Sequence, residues 1–338
     1  MSIPTPPSRG RFIVPTADLS APAPARTSLV HLGRQDFMSV MFRLVGMELY
    51  KLRRRMMSKV LAIISVLAVV VVFLLLGLLS AIESTHTTSV LLRLPLSLYV
   101  TMQIAFTLGR ILIVILVGVI VGAEYSAGTI RLMFTRGPSR TQFLLSKIGV
   151  AICCIVIGVL GITLITIPLG EVLNLLTGVG TTQQSLRSAF QSSASAAWVG
   201  HALLYLLITM LGLFVYAMMA LFLATLARST AAGIAGVLVW ALLIEPVLGA
   251  VFNGVASITN GTTADFLRAI PNYFIGNNVS ALQQNQEVVL FPGSLAQLAA
   301  QANPSPLSDA HALLVLAGYL ILFIGLAWWI NERRDITN

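Results

Sequence analysis

The chain has 338 residues, of which 57% are hydrophobic and only 10% charged, with a mean hydropathy of +0.90. Such usage excludes a soluble globular domain and points to an all-α polytopic membrane protein. A formal net charge of +9 would indicate nucleic acid in a soluble chain, but here the basic residues cluster beside the ends of apolar runs. The charge therefore reports topology, and no nucleic-acid partner is expected.

Residues 1–36 hold six prolines in the first 24 positions with scattered arginines, a composition that predicts a disordered cytoplasmic tail. Over residues 37–58, Phe37, Val40, Met41, Leu44 and Val45 follow helical spacing and predict an interfacial helix. Five basic residues, Lys51, Arg53, Arg54, Arg55 and Lys59, then place the chain at the headgroups of an anionic inner leaflet.

Six apolar runs follow, Lys59–Ile82, Leu96–Gly122, Phe143–Leu169, Trp198–Ala227, Thr230–Phe252 and Ala310–Ile330. Each supplies the roughly 20 residues that cross about 30 Å of hydrocarbon, giving a six-helix domain over residues 59–334. An even number puts both termini on one side. If that side is the cytoplasm, it holds ten basic residues up to Lys59, four from Arg131 to Lys147, Arg228, and Arg333 with Arg334. That is 17 of the 21 Lys and Arg, the bias expected of both termini cytoplasmic. The first run is too long for a cleavable signal and is expected to act as an uncleaved one. Span four meets span five through Arg228-Ser229 alone, so these two form a tight antiparallel hairpin. The pairs Gly118 and Gly122, Gly158 and Gly161, and Gly233 and Gly236 mark places where helices can approach closely, and only the first has the small-xxx-small spacing of a dimer seam. The outer loop 253–309 is too long for a simple connection, and its apolar stretches Phe266–Ile275 and Ser294–Ala299 predict short helices dipping into the membrane.

Between spans two and three lies Glu124 to Arg140, EYSAGTIRLMFTRGPSR, too polar for the bilayer and too short for a domain. Gly128 breaks the incoming helix, Thr129 to Arg136 can form about two turns, and Gly137-Pro138 stops them. Ser139 with Gln142 three residues on makes a capping box that starts the next helix.

The pattern Glu124-Tyr125, Gly128-Thr129, Arg131, Thr135-Arg136-Gly137, Ser139-Arg140 and Lys147 resembles the type-2 permease family of ATP-binding cassette exporters. The upstream Glu48-Leu49, Lys51-Leu52 and Arg54-Arg55 are similar to that family as well. The resemblance implies a permease subunit without its own ATPase site, working by alternating access. Its implied partners are a separate cassette ATPase and a second permease subunit, homodimeric or heterodimeric, in a bacterial plasma membrane. It also implies that Glu124, Tyr125, Gly128, Thr129, Arg131, Arg136, Gly137, Ser139 and Arg140 belong to a cytoplasmic coupling helix and its hinges. Glu124 is expected to hold the hinge by pairing with a nearby cation or capping backbone N–H groups.

The sequence has no Gly-x-x-x-x-Gly-Lys-Ser/Thr phosphate loop, no His-Glu-x-x-His and no Gly-x-Ser-x-Gly. A transport role with no cofactor and no metal is therefore expected rather than an enzyme. Cys153 and Cys154 read as packing residues, and His86, His201 and His311 as interfacial histidines rather than metal ligands. Arg110 and Glu245, about 18 and 24 Å from the inner ends of their spans, are candidate pathway residues expected to pair. Such intramembrane charges also keep open an ion- or proton-coupled secondary transporter, and a membrane-anchored immunity or scaffold protein is the third reading.

Overall fold

The computed structural model of the protein describes residues 37–82, 91–92, 94, 96–126, 139–176, 196–290 and 307–333. The chain divides by its internal contacts into residues 1–40, of which only the opening turn of one helix is described, and the helical body 41–338. Regular structure among the described residues is entirely helical. The expected tail 1–36, most of the coupling segment including Gly128, Thr129, Arg131, Arg136 and Gly137, and the stretch Ser294–Ala299 lie outside the described residues.

Among the described residues six helices are long and apolar enough to cross a membrane, so the chain is a multi-pass membrane protein, and each expected span falls within one of them. Helix α1 (Phe37–Arg54) leads into α2 (Met56–Ile82), the first span. The elbow at Arg55 is closed by Ser58, whose hydroxyl turns back onto the carbonyls of Leu52 and Arg55, 2.9 Å from the latter. Spans two to four are α3 (Leu96–Ser126), α4 (Arg140–Leu176) and α5 (Ala196–Ala227). At 1.5 Å per residue, the 37 residues of α4 reach about 55 Å, so it projects well beyond a core of about 30 Å.

The fifth span is α6 (Thr230–Val239), a π-helical turn (Trp240–Ile244) and α7 (Glu245–Ile258). Pro246 lacks an N–H and its ring crowds the preceding turn. The helix answers by widening, the Glu245 N–H reaching back five residues to the Trp240 carbonyl. The last span is α10 (Asp309–Arg333).

Helix α5 is the centre of the bundle, packed by α3, α4, α6 and α10, with Tyr205, Tyr216, Met218 and Leu221 fully buried. Helix α2 is peripheral and docks on α4 through Val69, Phe73 and Gly77. The expected tight hairpin is present: Arg228 adopts a left-handed φ of 52°, ending α5, and α6 starts two residues later. Glycine supplies the close approaches within the chain. A Cβ on Gly122 would lie 2.5 Å from the backbone of Thr230, and one on Gly118 would lie 2.6 Å from Ile234. The small-xxx-small pair is thus the α3–α6 seam and not a dimer seam.

The expected stretch Phe266–Ile275 of the long loop 253–309 falls almost wholly on helical residues. Span five continues to Ile258 instead of ending at Phe252, and α8 (Thr262–Ala269) and a 3₁₀ turn (Ile270–Tyr273) follow. Then α9 (Ile275–Leu290) packs against α5 and α10 as a buried element of the bundle. Its sequence hides this, because the buried face alternates Ile275, Val279 and Leu282 with Asn278, Gln283, Gln286 and Glu287.

Candidate functional site

Helix ends meet where the basic residues collect. Helix α3 ends at Ser126 and α4 starts at Arg140, and α1 lies alongside through Val45, Leu49 and Leu52. The expected capping box opens α4: the Ser139 N–H donates to Gln142 Oε1 at 2.9 Å, and the Gln142 N–H to Ser139 Oγ at 3.2 Å.

Lys147, two turns into α4, is 2% exposed. Its ammonium donates to Glu124 Oε1 on α3 at 2.6 Å and to Glu48 Oε2 on α1 at 2.8 Å. The other oxygen of Glu48 accepts from Lys51 at 2.6 Å, and the Lys147 ammonium lies 5.1 Å from the centroid of the Phe143 ring. Glu48 and Glu124 are each 6% exposed. Two carboxylates and two ammoniums balance, which is what allows charges to be buried at this depth. For Glu48, burial pushes the pKa up, but the charges and hydrogen bonds of Lys147 and then Lys51 outweigh it and hold the carboxyl below its ordinary 4.5.

Glu124 therefore pairs with a nearby cation, the first of its two expected arrangements. Tyr125 is half-buried against the core. Arg140 turns the other way: its Nη1 donates to the carbonyls of Asn331 and Glu332 at 3.0 and 2.9 Å, capping the last turn of α10, while Asn331 Nδ2 donates back to the Arg140 carbonyl. The C-terminal end of α10 is thereby fastened to the start of α4.

Reading the sequence for pattern alone placed Glu48 and Lys147 among the motif residues without giving them a role. Lys147 stands inside an apolar run, and an ionisable residue at membrane depth is itself a signal that a partner exists.

The second expected cluster is rearranged. Arg110 and Glu245 do approach a common centre, but no ion pair joins them; Tyr216 stands between. The Arg110 guanidinium lies 5.7 Å from the centroids of the Phe106 and Tyr216 rings. The Tyr216 hydroxyl donates to Glu245 Oε2 at 3.1 Å, and Glu245 Oε1 accepts from the Gly276 N–H at the start of α9. A carboxyl at a helix N-terminus answers both its free N–H groups and its dipole, which is why Glu245 turns to α9 rather than to Arg110. At the other end of α9, Glu287 Oε1 accepts from the Tyr205 hydroxyl at 2.6 Å and from Gln103 Nε2 at 3.2 Å. Nearby, Gln283 donates to Thr209 and Gln286 Oε1 lies 2.7 Å from His201 Nδ1. His311 instead faces the Asn272 carbonyl, 3.2 Å away.

Six membrane-length apolar helices among the described residues and a buried charge network at one end define an integral membrane protein with a fastened elbow. The chain belongs to a family described as proteins of unknown function, DUF2705, which matches residues 96–337, from α3 to the end of α10 and beyond. Glu124 and Lys147 fall within that range, whereas Glu48 and Lys51 precede it. No curated protein matches the chain.

Proposed function

We propose that this protein is the permease subunit of an ATP-binding cassette exporter, with its basic end, and so both termini, in the cytoplasm of a bacterial plasma membrane. The observation that carries the reading is Lys147 clamped between Glu48 and Glu124. The segment that resembles a coupling helix, Thr129 to Arg136, is flanked by α3 and α4. Beside it, one buried cation ties both helices to α1. A push on that segment by a cassette ATPase would be delivered to three helices together, since interfaces locked by buried charge move as blocks rather than bending. The ATPase must be a separate chain, and a second six-helix subunit would complete the pathway.

The test is Arg131→Glu with Arg136→Glu. The double variant is expected to insert at normal abundance while ATP-dependent export falls, because two attractive charges facing an acidic cassette groove become repulsive. Normal export by that variant would remove the docking assignment. Copurification of a phosphate-loop ATPase with the wild-type chain is the complementary positive result.

A second reading, an ion- or proton-coupled carrier, draws on the carboxyls of Glu245 and Glu287 buried at the two ends of α9. Transport that collapses with the membrane gradient and persists without any ATPase would favour it over the exporter.

A further inference from the structure

Helix α2 and the end of α1 that precedes it touch the bundle at two levels. Towards the far end of α2, Val69, Phe73 and Gly77 pack on Ile162 and Leu173 of α4. At the elbow, Leu52 packs on Ile120 and Val150. Between these contacts α2 stands off from α3 and α4, leaving an apolar cavity of about 260 Å³, walled by Ala62 and Ser65 on α2, Ile113 and Leu116 on α3, and Cys154 and Gly158 on α4. Gly158 faces open space, with nothing within 4 Å of the position its Cβ would take.

The chain that carries the lining residues Leu52 and Ser58 is rich in basic residues. Of the five basic residues from Lys51 to Lys59, Lys51 is paired with Glu48, and Arg54 stacks over Tyr50 and donates to its hydroxyl. Arg53, Arg55 and Lys59 have no carboxylate partner among the described residues, and Arg53 and Lys59 are exposed. They flank Leu52 and Ser58, which line the cavity's near end.

We propose that this cavity seats one acyl chain of an anionic phospholipid, with the lipid phosphate held by Arg53, Arg55 and Lys59. Depth supports a single leaflet's lipid. From Leu116 to Ala105 the cavity runs about 16 Å along α3, about half of a hydrocarbon core of about 30 Å and so the reach of one leaflet's acyl chain. Apolar walls disfavour water and suit alkyl chain, and a second helix, about 10 Å across, is too thick for the gap. The cluster of cations at headgroup level then selects an anionic lipid over a zwitterionic one. Such a lipid would wedge α2 at the level where protein contacts are missing. This inference does not depend on the transport mechanism.

The full-length chain in phosphatidylcholine nanodiscs is given a trace of phosphatidylglycerol with a photoreactive diazirine midway along one acyl chain, and labelled peptides are mapped by mass spectrometry. A phosphatidylcholine probe with the same chain serves as control. Labelling is expected within residues 58–65 and 154–162, about tenfold stronger for the anionic probe, since each nearby cation contributes roughly a factor of several. Gly158→Phe should fill the cavity and abolish that labelling. Should Gly158→Phe reduce folded yield, Gly158→Leu serves the same purpose with a smaller side chain. Arg55→Gln with Lys59→Gln should erase the preference for the anionic probe while leaving weak labelling by phosphatidylcholine. Equal labelling by the two probes in the wild-type chain, or anionic labelling that survives a folded Gly158 variant, would overturn the proposal.

Discussion

Lys147 is the residue on which the most depends. Removing it takes the shared ammonium away from two buried carboxylates, of which Glu48 keeps Lys51, and the loss of one partner from a buried pair costs about 3–5 kcal/mol. Lys147→Met is therefore expected to lower the thermal midpoint in detergent sharply, whereas adding Glu48→Gln and Glu124→Gln to it should recover most of the loss. If the triple variant is no more stable than the single one, the network is not the cause. The same site sets an acid limit. Because the Glu48 carboxyl is held below 4.5 in the folded chain, its contribution is fully present above that value and is lost as pH falls below it. A thermal midpoint measured from pH 6 to pH 3 should fall in the acid range, and Glu48→Gln should flatten the fall. At the second cluster, the Arg110→Glu, Glu245→Arg exchange should do no better than the worse single variant, since Tyr216 intervenes and the Gly276 N–H needs an acceptor. Restored function in the exchange would show that the two charges interact directly after all.

Among the elements, the α3–α6 contact is the tightest test of packing. Gly122→Ala places a methyl group against the Thr230 backbone, where neither side can turn away, so a loss of about 1–3 kcal/mol is expected. Gly161→Ala, with nothing within 4 Å, should be neutral or slightly stabilising and controls for glycine's effect on the unfolded chain. Comparable losses in both would mean that close approach is not what Gly122 provides. Helix α9 holds the opposite lesson. It is held by hydrogen bonds to Tyr205, Gln103, Thr209 and Glu245 as much as by apolar contact, and each of those partners comes from another part of the chain.

For the molecule as a whole, the elbow ties α1 to spans two and three, and Arg140 ties the end of span six to the start of span three. If the protein exports by alternating access, Glu124→Gln should reduce transport more than abundance, because it loosens the block without emptying the site of its remaining charges. A proportional fall in both, measured by membrane immunoblot and efflux, would make Glu124 structural only.

The sequence by itself determined the class of fold. Six apolar runs follow from hydropathy and length, because a bilayer demands about 20 apolar residues per crossing wherever the chain enters it. The Ser139 capping box and the Arg228-Ser229 hairpin were legible for the same reason: a local pattern closes a local hydrogen bond. Tertiary structure alone decided which charges meet. Lys147 finds Glu48 across 99 residues of chain, Tyr216 separates Arg110 from Glu245, and the polar α9 turns inward. No window of sequence contains those partners, and burying a charge is permitted only where its partner happens to be delivered by another helix.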